Sequence, residues 1–600
     1  DPSTMARLTF GSFNFTEAEV ASNATLIDQK LALRASALYR RRSGWVTNAN
    51  PFLDDAPDLG GYEQLAGRLQ LLYTPSSNFE SLLTVKGHTL SSNTSRVFRA
   101  NIIEPGTEDF VDGFSRDEVF HDGISDQELD QWGTSLKLTY DAGEFSVVSI
   151  TAYEVIEDFT SRGDIDGGYG AAFLDDPDLV EDPPVSGPGL IPFTAESADA
   201  IPGLYQFTQE LRILSNDWDV LNYQAGLFFF REDFNIQSLN FDTLTPGNPL
   251  NGFATQSQVN RAVGAFASAT LDLHEKLRIG GGLRYTNDVK DYSARRDISP
   301  LSFLGVGPLA RQSVDTGDNE ELQKSYLSWD FTVRVQPTRE ITLFTRAATA
   351  FRAPTIQGRL LFGDTVSVAD SEEILSFEGG VKTSLLDNRL RVDLTGYIYT
   401  LNNQQLTAVG GGTNFNTLIN VGRTNGSGFE LEVKAIPVRG LLISAGVSLN
   451  NTEIDDSRAS IQGCGGGCTV LNDVVDDSTS PATVSIDGNP LPHAPEWIAN
   501  GSVRYDYNLT SEHGLYFFGD FAYRSRVNFF LYRSEEFTDA SLLEIGARLG
   551  YSYDNGLFDV GLFSRNLNND LSRTGGIDFN NLTGFVNEPR TFGIDLRTRL

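Results

Sequence analysis

Length, composition and charge narrow the class of protein before any motif is considered. The chain has 600 residues, and 80 Asp and Glu against 46 Lys and Arg give a formal net charge of −34 at pH 7. So acidic a chain lacks the basic surface that a phosphate backbone requires, which argues against nucleic-acid binding. It also contains no run of about 18 uninterrupted apolar residues, which argues against a membrane-spanning helix.

Alternating apolar and polar residues recur along the whole chain. The segments LALRASALYR (31–40), RLRVDLTGYIY (389–399), FELEVKA (429–435) and RTFGIDLRTRL (590–600) all follow this pattern. Successive side chains of a β-strand point to opposite faces, so these segments predict strands with one apolar and one ionic face. In the last segment, Asp595, Arg597 and Arg599 share the ionic face.

Short turns join many of these runs in pairs, and long polar segments separate the pairs. YTPSSNFES, TYDAGEFSV, LSNDWDVLN, LDLHEKLRI, VQPTREITL, LLDNRLRVD, YNLTSEHGL and SYDNGLFDV are typical of tight turns between strands. The segments 159–202 and 455–492 are long and rich in Asp, Gly and Pro. Short turns at one end and long loops at the other are typical of a transmembrane β-barrel of the outer-membrane kind.

We therefore predict an all-β fold, a transmembrane antiparallel β-barrel with short periplasmic turns and long extracellular loops. The chain holds about 22 alternating runs, and an even number places both termini on the short-turn side. A barrel of this width cannot be filled by side chains and encloses a channel or a plug. A large soluble β-protein such as a propeller is the alternative, but no repeat of blade length is visible.

The ionic faces provide candidate site residues, because in such a barrel they line the wet lumen. One interpretation is that these side chains hold a plug by salt bridges and hydrogen bonds. The other is that they are the ordinary polar lining of a wide barrel. The lumen-facing candidates are Arg34, Glu210, Arg212, Arg284, Glu378, Lys382, Glu430 and Glu432.

The only two cysteines lie close together in the segment GCGGGC, which is part of a predicted loop. Cys464 and Cys468 predict a local disulfide in an oxidising compartment. The alternative is a pair of free thiols. A metal site would need further ligands, and no histidine lies nearby in the sequence.

Clustered acids in two predicted loops are the candidates for a metal site, with calcium as the ion. Carboxylates next to glycine suit Ca²⁺, which takes oxygen ligands. However, GDIDGG lacks the third oxygen ligand and the distal Glu of an EF-hand loop, so a solvated acidic surface is the alternative. The residues in question are Asp164, Asp166, Asp175, Asp176 and Asp178, with Asp54, Asp55 and Asp58 in a third cluster. No other cofactor is predicted.

Nothing in the sequence predicts an enzyme. The five histidines are scattered along the chain, and three of them fall in predicted turns or at the start of a strand. No nucleophile and base can be placed together from these positions.

Several segments, in this order along the chain, resemble the barrel of TonB-dependent outer-membrane receptors. They include LALRASALYRRRSGWVTN, FTQELRILS, GLFFFRE, LRIGGGLRYTNDVKDY, ATAFRAPTI, INVGRTNGSGFELEVKAIP, LPHAPEWIANGSVRYDY, GLFSRNLNN and EPRTFGIDLRTRL. The resemblance covers residues 1–600 as one barrel domain. Members of this family carry a TonB box and a plug ahead of the barrel, and neither is found in this sequence.

The resemblance also implies a signal for insertion into the outer membrane at the end of the chain. Family members usually close on an aromatic residue, whereas this sequence closes on leucine. The expected signal comprises Phe592, Ile594, Leu596 and Leu600.

The function that the resemblance implies is active uptake across the outer membrane of a Gram-negative bacterium. Such a receptor binds a scarce ligand, such as a ferric chelate, a vitamin or an oligosaccharide, and imports it with energy supplied through TonB. The expected partners are a plug in the same or a separate chain, TonB with its inner-membrane motor complex, and outer-membrane lipids. A passive porin-like channel and a surface adhesion or scaffold barrel remain alternatives.

Overall fold

The computed structural model describes residues 3–50, 53, 56–93, 97–170, 190–191, 196–216, 220–241, 249–298, 312–314, 319–360, 366–410, 415–465, 468–577 and 582–600. Within them, 22 long antiparallel strands form one sheet. They are β1 Ser3–Gly11, β2 Phe15–Ile27, β3 Leu31–Arg42, β4 Tyr62–Ser76, β5 Phe79–Ser92, β6 Asp126–Asp141, β7 Phe145–Asp164, β8 Glu196–Ser215, β9 Leu221–Phe241, β10 Leu250–His274, β11 Leu277–Ile298, β12 Asn319–Thr338, β13 Ile341–Arg352, β14 Glu372–Thr383, β15 Leu390–Gly410, β16 Phe415–Ala435, β17 Leu441–Ile454, β18 Trp497–Asn508, β19 His513–Arg524, β20 Leu542–Tyr553, β21 Phe558–Arg565 and β22 Thr591–Arg599.

Shorter elements lie in the connections between these strands. A single turn of 3-10 helix covers Asp554–Gly556. No helix in the described residues is long and apolar enough to cross a membrane. The short strands are Thr47–Asn48, Glu118–Val119, Tyr169–Gly170, Leu190–Ile191, Gln312–Val314, Thr355–Gln357, Ser367–Ala369, Ser460–Gln462, Val474–Asp476, Thr483–Ser485, Val527–Asn528, Thr538–Asp539, Arg573–Ile577 and Thr583–Val586.

The sheet closes on itself, because the first strand pairs with the last. Strands β1 and β22 are antiparallel, with a register from Met5 opposite Arg599 to Gly11 opposite Gly593. The predicted closed barrel and its strand number are thus confirmed. Closure leaves no edge strand whose backbone groups would lack partners inside a membrane.

The two ends of the barrel differ as the sequence predicts in most of the connections that the structure describes. Residues 28–30, 275–276 and 339–340 are typical of the connections at the short-turn end, where both termini also lie. At the opposite, long-loop end, residues 455–496 join β17 to β18. Among the described connections, the one between β1 and β2 departs from this pattern, because it is a tight turn at the long-loop end in which Phe13 and Asn14 both have positive φ.

Alternation along each strand separates an apolar outer face from a polar inner one. On β15, Leu394 and Ile398 are 41% and 58% exposed, and the cross-strand register continues this face onto β16. Large apolar side chains exposed in this way on every part of the wall form the surface that lipid covers. Phe592 and Leu596 belong to the same face.

The packed apolar core lies in the loops rather than in the barrel interior. It is built by the connections 97–125, 455–496, 525–541 and 566–590 as far as they are described, and these four segments together are called the loop cap below. Val421 of β16 and Ile454 at the end of β17 add to this core. The buried side chains from the cap are Ile102, Ile103, Ile461, Cys464, Val484, Ile486, Val527, Phe529, Phe530, Leu531, Tyr532, Phe537 and Leu582.

Candidate binding site in the lumen and loop cap

The lumen wall of β8 to β11 carries three of the predicted charges. Arg212 lies two residues after Glu210 on one face of β8, and its Nε is 2.8 Å from Glu210 Oε1. The guanidinium of Arg284 lies over the rings of Phe228 and Phe266, at 5.3 and 5.6 Å from their centroids. A positive charge over an aromatic face is electrostatically favourable. This part of the wall therefore presents a cation already partnered by two rings.

The remaining predicted lumen charges lie on other parts of the wall and do not converge on one point. Arg34 donates to Asn23 Oδ1 at 3.0 Å. Glu378 is 3.5 Å from the guanidinium of Arg346, and Lys382 Nζ lies 5.4 Å from the ring centroid of Phe344. On β16, Glu430 and Glu432 lie opposite Thr395 and Asp393 of β15, respectively. The eight candidates thus line the lumen as separate groups.

A denser ionic cluster, which sequence analysis did not single out as a site, lies on the last four strands, beside the pair that closes the barrel. We call Tyr516, Arg548, Asp559 and Asp595 the seam network. Arg548 contacts Asp595 at 2.5 Å and Asp559 at 2.9 Å, and its Nε donates to the Tyr516 hydroxyl at 2.8 Å. Asp595 is fully buried. The network joins strands β19 to β22 on the lumen side.

Glycines make room for the seam network. A Cβ on Gly561 would lie 2.6 Å from the Arg548 guanidinium carbon, closer than real Cβ atoms approach a neighbour. Gly561 pairs in register with Asp595. A single strand sequence does not reveal this site, because its members become neighbours only through the register of four strands.

The loop cap spans the opening at the long-loop end. Counted around the ring of strands, the segments 97–125 and 525–541 are attached to the wall eight strands apart. The segment 455–496 is attached ten strands away from 97–125. Twenty-two strands about 4.8 Å apart and tilted by about 40° form a ring roughly 40–45 Å across. The points at which these loops are attached to the wall are therefore roughly 40 Å apart. Because the loops nevertheless share one core, they meet over the mouth of the barrel.

The two cysteines belong to this cap. Cys464 and Cys468 are joined by a disulfide with a Cα–Cα distance of 6.4 Å, and the Cys464 side chain is buried in the cap core. The disulfide therefore constrains the segment just before Thr469, and Thr469 contacts Glu535 and Glu536 in the segment 525–541.

The predicted acidic clusters are only partly described. Asp164 and Asp166 are both buried, so the interpretation of these two residues as solvated surface acids is wrong. The Asp164 carboxylate accepts hydrogen bonds from the backbone N–H groups of Asp122, Gly123 and Gly167, each at 3.0 Å. Backbone donors from a distant loop explain how a buried carboxylate is tolerated here. Asp54, Asp55, Asp175, Asp176 and Asp178 lie outside the described residues.

The described residues do not form a calcium site. Among them, no three or more His, Cys, Asp or Glu side chains are grouped so as to hold a metal ion. Two oxygens of Asp164 are already used by backbone donors. The calcium hypothesis therefore stays a prediction, carried by the acids that are not described.

The buried acid Asp166 predicts a pH dependence. Burial raises the pKa of Asp166 well above its ordinary 3.8, and the neighbouring Asp164 charge and hydrogen bond raise it further. A raised pKa means that the folded loop binds the proton more tightly than the unfolded chain. The contribution of Asp166 to the free energy of unfolding is therefore largest below pH 3.8, its ordinary pKa. This contribution is lost as the pH rises through the higher pKa of Asp166 in the folded loop.

We expect Asp166→Asn to abolish this loss. The measurement is hydrogen exchange at the Ala100 amide, which donates to Gly167 O at 3.0 Å, in mildly acidic and mildly alkaline buffers after correction for intrinsic rates. Protection should fall with rising pH in the unmodified protein and stay level in the variant. Asp112→Asn, at an exposed position, is the matched control. The same fall in all three proteins would contradict the prediction.

Comparison with known proteins agrees with this architecture, that of a large outer-membrane β-barrel. The model of the family described as TonB dependent receptor-like, beta-barrel matches residues 72–542. The chain belongs to the TonB-dependent receptor family. It therefore lies in the outer membrane of a Gram-negative bacterium, where the long-loop end is extracellular and the short-turn end is periplasmic.

Solved structures share the fold over the whole chain. The ferric yersiniabactin uptake receptor FyuA from Yersinia pestis is 15% identical with a TM-score of 0.77, and the match covers 100% of this chain and 80% of FyuA. The ferric-catecholate import receptor Fiu from Escherichia coli, in its closed form, is 13% identical with a TM-score of 0.71, covering 100% and 82%. The siderophore receptor PiuA from Acinetobacter baumannii is 13% identical with a TM-score of 0.70, covering 100% and 82%.

Proposed function

We propose that this barrel is the translocation domain of a receptor that captures a ferric chelate outside the cell and imports it with energy supplied through TonB. Family membership over residues 72–542 is the observation that carries the proposal. The structurally similar FyuA, Fiu and PiuA are all receptors for ferric chelates or siderophores, which supports this ligand class. The barrel itself needs to supply no bond-making chemistry for this task.

The ligand class is testable by growth. A strain that lacks the full-length receptor, and the same strain with the gene restored, are grown under iron limitation on a panel of purified ferric chelates. We expect at least one chelate to support growth only when the receptor is present. Equal growth on every chelate, together with a defect on a vitamin or an oligosaccharide, would instead assign one of those ligands.

We further propose that a plug occupies the lumen in the cell, either in the same polypeptide or as a separate subunit. The lumen presents fixed charges of both signs in separate groups, such as Arg34 on β3 and Glu430 with Glu432 on β16. A folded polar insert can pair with such dispersed groups at many points. An open passage roughly 40 Å across would also leak solutes across the outer membrane.

The plug is testable by intact-mass spectrometry of the receptor from native outer membranes, with identification of co-purifying chains, and by conductance in planar bilayers. A polypeptide larger than these 600 residues or a bound subunit, with almost no conductance, is expected. A mass that corresponds to these residues alone, no partner, and a large steady current would contradict the proposal and assign an open channel.

A further inference from the structure

Three loops of the cap converge on one buried carboxylate. Glu536 is fully buried in the segment 525–541. Its Oε1 accepts the backbone N–H of Gly106 at 2.6 Å, and its Oε2 accepts the backbone N–H of Thr469 at 2.7 Å. Gly106 belongs to the loop between β5 and β6, and Thr469 belongs to the loop between β17 and β18. Glu536 thus connects two loops that are attached to the barrel wall on nearly opposite sides.

The fourth segment of the cap is tied to the same point by a buried guanidinium. Arg573 is 1% exposed, and it donates to the backbone oxygens of Glu536 at 2.5 Å and of Glu108 at 2.6 Å. Its Nε also lies 3.5 Å from Asp539 Oδ1. Removing either side chain would leave buried donors or acceptors without partners, which costs more than the hydrogen bonds themselves contribute.

Further backbone contacts beside Glu536 join the β17–β18 loop to the segment 525–541. Val470 and Ser534 form an isolated antiparallel bridge, and Leu471 N donates to Arg533 O at 2.9 Å. The disulfide between Cys464 and Cys468 ends at the residue before Thr469. The segment that reaches Glu536 from the β17–β18 loop is therefore held on both sides.

We propose that Glu536 and Arg573 hold the loop cap closed over the extracellular mouth, so that they control access from outside to the lumen. Charge-assisted hydrogen bonds in a buried site are strong, and together with the shared apolar core they oppose the separation of the loops that opening the mouth requires. The inference adds an outer gate to the proposed uptake function. Its test measures loop closure rather than uptake, so that either proposal can fail without the other.

The test uses the full-length receptor in whole cells, with one reporter cysteine at Gln64. This residue lies near the extracellular end of β4 and alternates with Leu65, which is exposed on the outer face, so its side chain faces the lumen. A bulky, membrane-impermeant maleimide is the probe. We compare labelling rates in Glu536→Ala, Arg573→Gln and the matched control Glu535→Ala, which removes the neighbouring carboxylate. A second reporter, Asp477→Cys on the exposed outside of the cap, controls for the reagent.

We expect labelling of the Gln64→Cys reporter to become severalfold faster in Glu536→Ala and Arg573→Gln, and to stay unchanged in Glu535→Ala. Hydrogen exchange at the Gly106 and Thr469 amides should become about tenfold faster or more in Glu536→Ala. Heat-dependent migration on gels reports in parallel that the barrel is folded. Faster amide exchange with unchanged labelling in folded variants would overturn the gate, and unchanged exchange would overturn the role of Glu536 as well.

Discussion

Replacing Arg548 with methionine is expected to lower the free energy of unfolding of the barrel by about 3–5 kcal/mol, because a buried ion pair loses one member. Asp595 is 0% exposed and lies against the guanidinium, which also contacts Asp559. Methionine keeps most of the apolar stem, so the loss reports mainly the uncompensated carboxylates. The measurement is equilibrium denaturation in lipid vesicles, followed by tryptophan fluorescence.

Arg597→Met is the matched control for this prediction. Arg597 is exposed in the lumen on the same strand as Asp595, and it makes no ion pair within the described part of the chain. Its replacement should change the free energy by less than about 1 kcal/mol. Adding Asp595→Asn to the Arg548 variant should recover part of the loss, since the buried charge is then removed. Equal losses for Arg548→Met and Arg597→Met would show that the seam network does not stabilise the barrel.

An arginine introduced on the outer face of β15 should be far more costly than one on the inner face. We expect Leu394→Arg or Ile398→Arg to cost about 2–4 kcal/mol near the middle of the bilayer, where a charge loses its hydration. Thr395→Arg should be tolerated, because residue 395 faces the wet lumen and pairs in register with Glu430. Folding into lipid vesicles under the same denaturant series measures all three. Similar losses at both parities would contradict the assignment of the faces.

Local sequence patterns were enough to predict the barrel. The alternation in segments such as RLRVDLTGYIY has a period set by the strand itself, and it requires no knowledge of neighbours. Turn sequences such as LDLHEKLRI likewise act over a few residues. These two signals predict the strands, their number and the common end of both termini. The tight turn at Phe13 was less apparent, since it lies at the end where long loops are expected.

The contacts that form the site were not predictable in the same way. Glu536 meets Gly106 and Thr469 only because loops from distant strands fold over the mouth. Arg548 meets Asp595 only through the register of the closing strands. The sequence predicts that Asp164 is a surface or metal-binding acid. Instead it is buried, and its carboxylate accepts hydrogen bonds from the backbone N–H groups of residues 122 and 123. In each case the partner is remote in sequence, and no spacing within one segment records it.

Iron accumulation in cells with and without TonB is the measurement that decides whether the proposed uptake depends on energy. Radiolabelled iron is supplied as the chelate that supports receptor-dependent growth, and its accumulation is followed in otherwise identical cells with and without TonB. We expect accumulation only when both the full-length receptor and TonB are present, with binding at the cell surface retained when TonB is absent. Accumulation at the same rate without TonB would contradict energy-dependent uptake and assign passive diffusion through the barrel.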